Sequence, residues 1–159
     1  MLKVKLITVG TLKEDYLRSA AAEYEKRLGA FCRFELIQLK EERLSEIPSQ
    51  NEIKAALERE AVKITEQIPS SAFCVALCVE GKQLSSEELA ERIEAISMDK
   101  SEICFVIGSS YGLSDTVKQR ADMRLSVSKL TFPHQLMRVI LLEAIYRAFN
   151  IQRGTKYHK

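Results

Sequence analysis

The chain has 159 residues, 46% of them hydrophobic and 29% charged, with a formal net charge of +2. That is the make-up of a soluble globular chain able to bury one real core; it excludes disorder and argues against two full domains. The longest apolar run, 72–79, is far short of the roughly 20 residues of a membrane span, and Met1–Lys5 lacks the apolar core of a secretory signal, so a cytoplasmic protein without a membrane partner is expected.

Lys3–Val9 alternates and runs into Gly10, which reads as a strand and its exit. Leu17, Ala20, Ala21, Tyr24 and Leu28 follow helical spacing across 14–28, and Gly29 stops them. Phe31–Leu39 reads as a second strand, and the acidic, Pro-containing stretch to Gln50 as a loop. Ile53, Leu57, Ala61, Ile64 and Ile68 mark an amphipathic helix ending before Pro69. Phe73–Val79, without a polar interruption, predicts a strand covered on both faces. Ser85 and Glu88 offer a capping box for a helix reaching about Ile96. Ile103–Ile107 reads as a fourth buried strand, followed by a short helix over 115–121 and a short strand at Leu125–Ser128. Pro133 suits the first position of a last helix running to about Phe149. Strands alternating with helices predict one α/β domain over 1–159, a largely parallel sheet flanked by helices.

The last helix is apolar at ten of fourteen positions between Leu136 and Phe149. A helix resting on one sheet face needs only a stripe. The excess predicts a second cover, and in so small a chain that cover is a second copy, hence a homodimer. Charge is also divided along the chain. Residues 115–159 carry nine basic and three acidic side chains, against seven and fourteen in 41–114. The basic quarter reads either as a solvated face or as a contact surface for a polyanion. Cys32, Cys74, Cys78 and Cys104 contain no CxxC pair and read as small buried hydrophobes. Cys74 and Cys78 share one strand face ~13 Å apart, too far for a disulfide. His134 and His158 are neither clustered nor spaced as zinc ligands, so no metal site is expected.

Gly108-Ser109-Ser110-Tyr111-Gly112 follows a buried strand and precedes a helix, the place where open α/β sheets bind ligands. Its GxxxG spacing matches neither the dinucleotide fingerprint nor the phosphate-binding loop of nucleotide triphosphatases. Glu80-Gly81-Lys82 and Ser126 through Phe132 lie at two further strand ends. Three such loops could line one pocket, with apolar walls from Leu77, Leu130 and Phe132, suited to a neutral or zwitterionic heterocycle. His134, alone at the start of the last helix, reads more as a cap or packing residue than as a catalyst. Arg147 sits four residues after Glu143, the spacing of an intrahelical ion pair. The tail Arg153–Lys159 combines an aromatic with positive charge and reads equally as a frayed end or as a site for an unpaired base and its phosphate.

Four segments in this order, Ala22–Leu28, Phe105–Gly108, Thr131–Gln135 and Tyr146–Phe149, give the whole chain a resemblance to the RlmH family of the SPOUT methyltransferases, which methylate N3 of a pseudouridine in 23S ribosomal RNA. The resemblance implies a C-terminal trefoil knot, a homodimer, action on the assembled ribosome, and S-adenosyl-L-methionine as cofactor, without a metal. It implies cofactor contacts at Leu77, Gly108, Val127, Ser128, Lys129, Leu130, Thr131 and Phe132. It implies catalytic roles for Arg147 and His158, with the tail of one subunit closing over the pocket of the other. The family commonly carries a second glycine where this chain has Ser109. If that position requires positive φ, the serine strains or reshapes the loop. Two alternatives follow: a related enzyme acting on transfer RNA, and a ribosome-binding dimer without a cofactor site.

Overall fold

Five short runs of β-branched and aliphatic residues pair into a single sheet in which every neighbour is parallel. The strands are β1 (Lys3–Val9), β2 (Arg33–Leu39), β3 (Phe73–Gln83), β4 (Glu102–Ile107) and β5 (Met123–Ser126), in the order β2-β1-β4-β3-β5. This computed structural model covers residues 1–159.

Parallel strands need covered crossovers, and the helices supply them on both faces. On one face α1 (Asp15–Leu28), α3 (Ser86–Asp99) and α5 (His134–Gln152) pack over Val4, Leu6, Ile103 and Phe105. On the other, α2 (Gln50–Glu66) and α4 (Asp115–Arg120) pack over Ile7, Val9, Cys104 and Val106. The period-two alternation of β1 and β4 thus feeds two cores, as a doubly covered sheet requires. From β1 the chain crosses to β2 through α1; from β4 it crosses to β5 through α4, on the opposite face and in the opposite direction. The sheet therefore switches topology between β1 and β4.

Local rules hold at the caps. Ser85 and Glu88 form both halves of the capping box, at 3.1 and 2.7 Å. Ser49 and Ser114 cap α2 and α4. Four boundaries differ from the sequence reading. β2 starts at Arg33 rather than Phe31, because the N–H groups of Phe31 and Cys32 close the end of α1 on Leu28 O. β3 continues past Val79 to Gln83 through an irregularity between Leu77 and Lys82, so Glu80-Gly81-Lys82 is strand rather than loop. Only Cys74, Val75 and Ala76 of β3 are fully buried, and Val79 is exposed. β5 pairs from Met123 and ends at Ser126, which leaves 127–132 entirely as loop. Pro133 is the cap of α5 rather than its first residue; its ψ of 138° is extended, and its carbonyl accepts the N–H of Met137.

Candidate active site

The carboxyl ends of β3, β4 and β5 converge on one cavity, and two glycines there bring main chain against main chain. After β4 the backbone turns back so closely that a Cβ at Gly108 would stand 2.2 Å from the carbonyl oxygen of Gly112. No side chain fits there. Gly112, at φ +86°, supplies the left-handed residue of the turn, and its N–H donates to Ser109 O at 2.9 Å. Ser109 is not at positive φ and is 5% exposed. The serine is thus accommodated without backbone strain, because the left-handed position is Gly112. On β3, a Cβ at Gly81 would lie 2.7 Å from the Leu125 carbonyl carbon, so here glycine permits backbone to lie on backbone. After β5, Ser126 Oγ donates to Ser128 O at 2.9 Å and Ser128 Oγ accepts the Leu130 N–H at 3.0 Å, which shapes the 127–132 loop.

Together these segments enclose a cavity of about 700 Å³. Leu77, Gly108, Val127, Ser128, Leu130, Thr131 and Phe132 line it; Lys129 belongs to the same loop but does not reach the wall. The sequence reading missed Met137, Ile107 and Cys78. Helical spacing from Pro133 could have found Met137, one turn along α5. The walls are apolar side chains and peptide groups, with charge confined to the Glu80–Lys118 pair, whose contact holds the Glu80 carboxyl below its ordinary range. Burial pushes the Cys78 thiol up, so it stays neutral. Volume and lining fit a drug-sized heterocycle carrying compact polar groups.

Behind the Gly108–Gly112 turn lies a residue the sequence reading passed over. Glu60 on α2 is 4% exposed; its Oε2 accepts the Glu42 N–H at 3.0 Å, and its Oε1 has no partner. Burial raises its pKa, and the nearby Ser109 hydroxyl acts against that rise. Its spacing, four residues after Ala56 and four before Ile64, put a carboxylate inside an apolar stripe, which was a readable signal.

Arg147 and His158 are brought together elsewhere. Arg147 donates to Glu143 Oε1 through Nε and Nη2, at 2.9 and 2.7 Å, so the intrahelical pair forms. The same carboxyl oxygen accepts the Tyr157 hydroxyl at 3.1 Å, and the guanidinium lies over the Tyr157 ring. Arg147 Nη1 is 3.2 Å from His158 Nδ1, and His158 Nε2 is 2.7 Å from Glu87 Oε1. Arginine only donates, so Nδ1 accepts and Nε2–H donates to Glu87. His158 is then a neutral imidazole with its lone pair occupied. Neither Arg147 nor His158 lines the cavity of its own chain. Met137 is the last residue of α5 on the cavity wall, and Arg147 lies ten positions further along the helix, roughly 15 Å at 1.5 Å per residue.

The fold is shared with a probable methylase family protein from Haemophilus influenzae. That structure matches at a TM-score of 0.55, over 99% of this chain and 70% of that one, at 15% identity. The chain belongs to the SPOUT methyltransferases: the family described as "Predicted SPOUT methyltransferase" matches residues 2–158. Its relatives narrow the group to ribosomal RNA large subunit methyltransferase H. One from Bacillus pumilus is 48% identical and one from Streptococcus thermophilus 50%, each over 159 residues that cover 99% of this chain and all of the relative.

Proposed function

We propose that this protein transfers a methyl group from S-adenosyl-L-methionine to N3 of a pseudouridine in 23S ribosomal RNA, working as a homodimer on the assembled ribosome in the cytoplasm. The observation that carries this is the cavity at the β3, β4 and β5 ends, built by a chain about half identical, end to end, to the named large-subunit methyltransferases. The whole chain is taken as one domain, supported by a single sheet spanning β1 to β5, and the trefoil knot follows from the family.

Leu77, Gly108 and the loop 127–132 would hold the cofactor, Lys129 flanking it from outside the wall. When bound, S-adenosylmethionine supplies an electrophilic methyl on a sulfonium. The apolar walls exclude water, and the tight glycine turn leaves peptide groups free to meet the ligand's polar atoms. Orientation of the two reactants is the main catalytic term, worth effective molarities of ~10⁵–10⁸ M in well-aligned reactions. N3 carries a proton and is a weak nucleophile until it leaves. Arg147 would stabilise the charge that develops on the uracil carbonyls. His158 orients the base, and it accepts a proton only once its hydrogen bond from Arg147 is released.

Because Arg147 lies roughly 15 Å along α5 from Met137, the last residue of that helix on its own cavity wall, the second subunit supplies the missing half. α5 keeps Leu136 exposed and Ile140 half-buried on the side carrying Glu143 and Arg147. With α5 antiparallel on its copy, that stripe is covered and the Arg147 end of one chain meets the cavity mouth of the other. The test is mass spectrometry of nucleosides from a deletion strain. Loss of a methylated pseudouridine from 23S RNA supports the reading; loss of a methyl group from transfer RNA alone overturns it.

A further inference from the structure

Beside the cofactor cavity lies a second hollow of about 540 Å³, which shares Ser110 and His134 with it. It opens between the carboxyl ends of β1 and β4, marked by Gly10 and Ser110, where the sheet switches topology. Open α/β sheets seat ligands at such points. We propose that this hollow holds a backbone phosphodiester of the RNA substrate, beside the nucleotide whose base enters the cofactor cavity. The inference rests on the function proposed above.

The lining is rich in donors. Lys13 and Lys40 both border the hollow, and the ion pairs of the chain involve neither. Two glutamines have their acceptor oxygens already engaged inside the protein. Gln135 Oε1 accepts the Lys13 N–H at 3.0 Å, and Gln38 Oε1 accepts from Arg138 Nη1 at 2.8 Å. What each has left to offer a ligand is its NH₂ group. Thr11 and Ser110 add hydroxyls. Glu41 is the one carboxylate on the wall, set close to Gly10.

Arg138 lies directly behind. It is 4% exposed, and its guanidinium meets only neutral acceptors: Gln38 Oε1, Thr8 Oγ1 at 2.9 Å and Gly10 O at 3.1 Å. No carboxylate is in ion-pair contact with it; Glu25 acts on it only at a distance. A buried cation with no counter-ion in contact is costly, and this one projects its field through two wall residues, Gln38 and Gly10. An oxyanion in the hollow offsets that charge. Two ligands carry one there: the RNA phosphodiester and the carboxylate of the cofactor's methionyl group. The place of the hollow beyond the glycine turn, on the side away from β3 and β5, favours the RNA.

The test compares the Lys13→Ala/Lys40→Ala double variant and Glu41→Gln with wild type. Cofactor affinity is read by calorimetry, kcat and KM on 70S ribosomes, and the salt dependence of binding to a uridine-rich oligoribonucleotide by fluorescence anisotropy. The double variant is expected to raise KM about tenfold and flatten the salt slope by about 1, with kcat and cofactor affinity unchanged. Glu41→Gln is expected to shift KM the other way. Unchanged KM and slope overturn the inference, and so does a parallel loss of cofactor affinity, which assigns the hollow to the methionyl carboxylate. If wild type methylates no ribosomes, the proposed function falls, and the oligonucleotide slopes alone decide whether the hollow binds phosphate.

Discussion

The two ends of α5 are built on opposite principles. At its N-terminal end the cavity proposed for the cofactor is lined by glycines, small polar groups and apolar side chains, with charge confined to the Glu80–Lys118 pair. At its C-terminal end Glu143, Arg147, His158 and Glu87 form a continuous chain of charged and polar contacts, roofed by Tyr157. One region binds by shape, and the other is suited to managing charge as a proton leaves and a methyl arrives. In the homodimer proposed above, the two regions lie apart along one helix and are reunited by association. Substitutions should therefore affect binding at one end and turnover at the other.

The largest effect is expected at the shape-built end. Gly108→Ala places a Cβ within 2.2 Å of main chain that cannot move aside without opening the turn. Cofactor binding should fall by more than about 100-fold, which corresponds to about 3 kcal/mol. Calorimetry checks it, and circular dichroism should show the helices intact. Retained affinity would show that the glycine turn does not shape the cavity. Next comes Arg147→Ala, expected to lower kcat by on the order of 10²–10³ with cofactor affinity unchanged, the loss seen when one charge-stabilising donor is removed. Arg147→Lys should recover little, because an ammonium cannot bridge Glu143 and His158 in the fork geometry. If cofactor affinity falls instead, the division between the two ends is wrong.

Legibility followed the same division. Caps, strand alternation and the excess apolar surface of α5 are local patterns, and each was readable. The end of β4 was readable as well, since a glycine turn after a buried strand is a spacing signal. Three things were not. The continuation of β3 through Glu80-Gly81-Lys82 depends on the backbone of β5 forty residues away, and no local pattern encodes that approach. The reason Ser109 is tolerated lies in Gly112, three residues on, and emerges only with the turn itself. The isolation of Arg147 from its own cavity is a fact of helix length and direction, which motif matching ignores.

A smaller effect is expected at Glu60, behind the turn. Burial raises its pKa, so the folded protein keeps the proton to higher pH than the unfolded chain does. Between the two values the native state binds more protons, and stability falls as pH rises through that window. Glu60→Gln removes the titration. The variant should melt with wild type below the ordinary carboxylate range and above wild type at neutral pH, read by calorimetry at the two pH values. An equal gain at both pH values would mean that shape rather than ionisation decides this site.

The smallest effect belongs to Glu87, which holds the tail from α3 through an exposed contact. His158 keeps the Glu87 carboxyl below its ordinary range, so the contact is in place at neutral pH and is lost as pH falls through that depressed value. Surface pairs of this kind contribute little to stability. Their use is positional: Nε2–H bound to Glu87 fixes the tautomer that presents Nδ1 to Arg147. Glu87→Gln keeps an acceptor but loses the charge, and should lower kcat only a few-fold while leaving the melting temperature unchanged. Hydrogen exchange of residues 155–159 should speed up in the same variant. A tail that stays protected with kcat unchanged would mean that its contacts with α5, at Glu143, Tyr146, Arg147 and Asn150, hold it unaided, and the charged end would then work without α3.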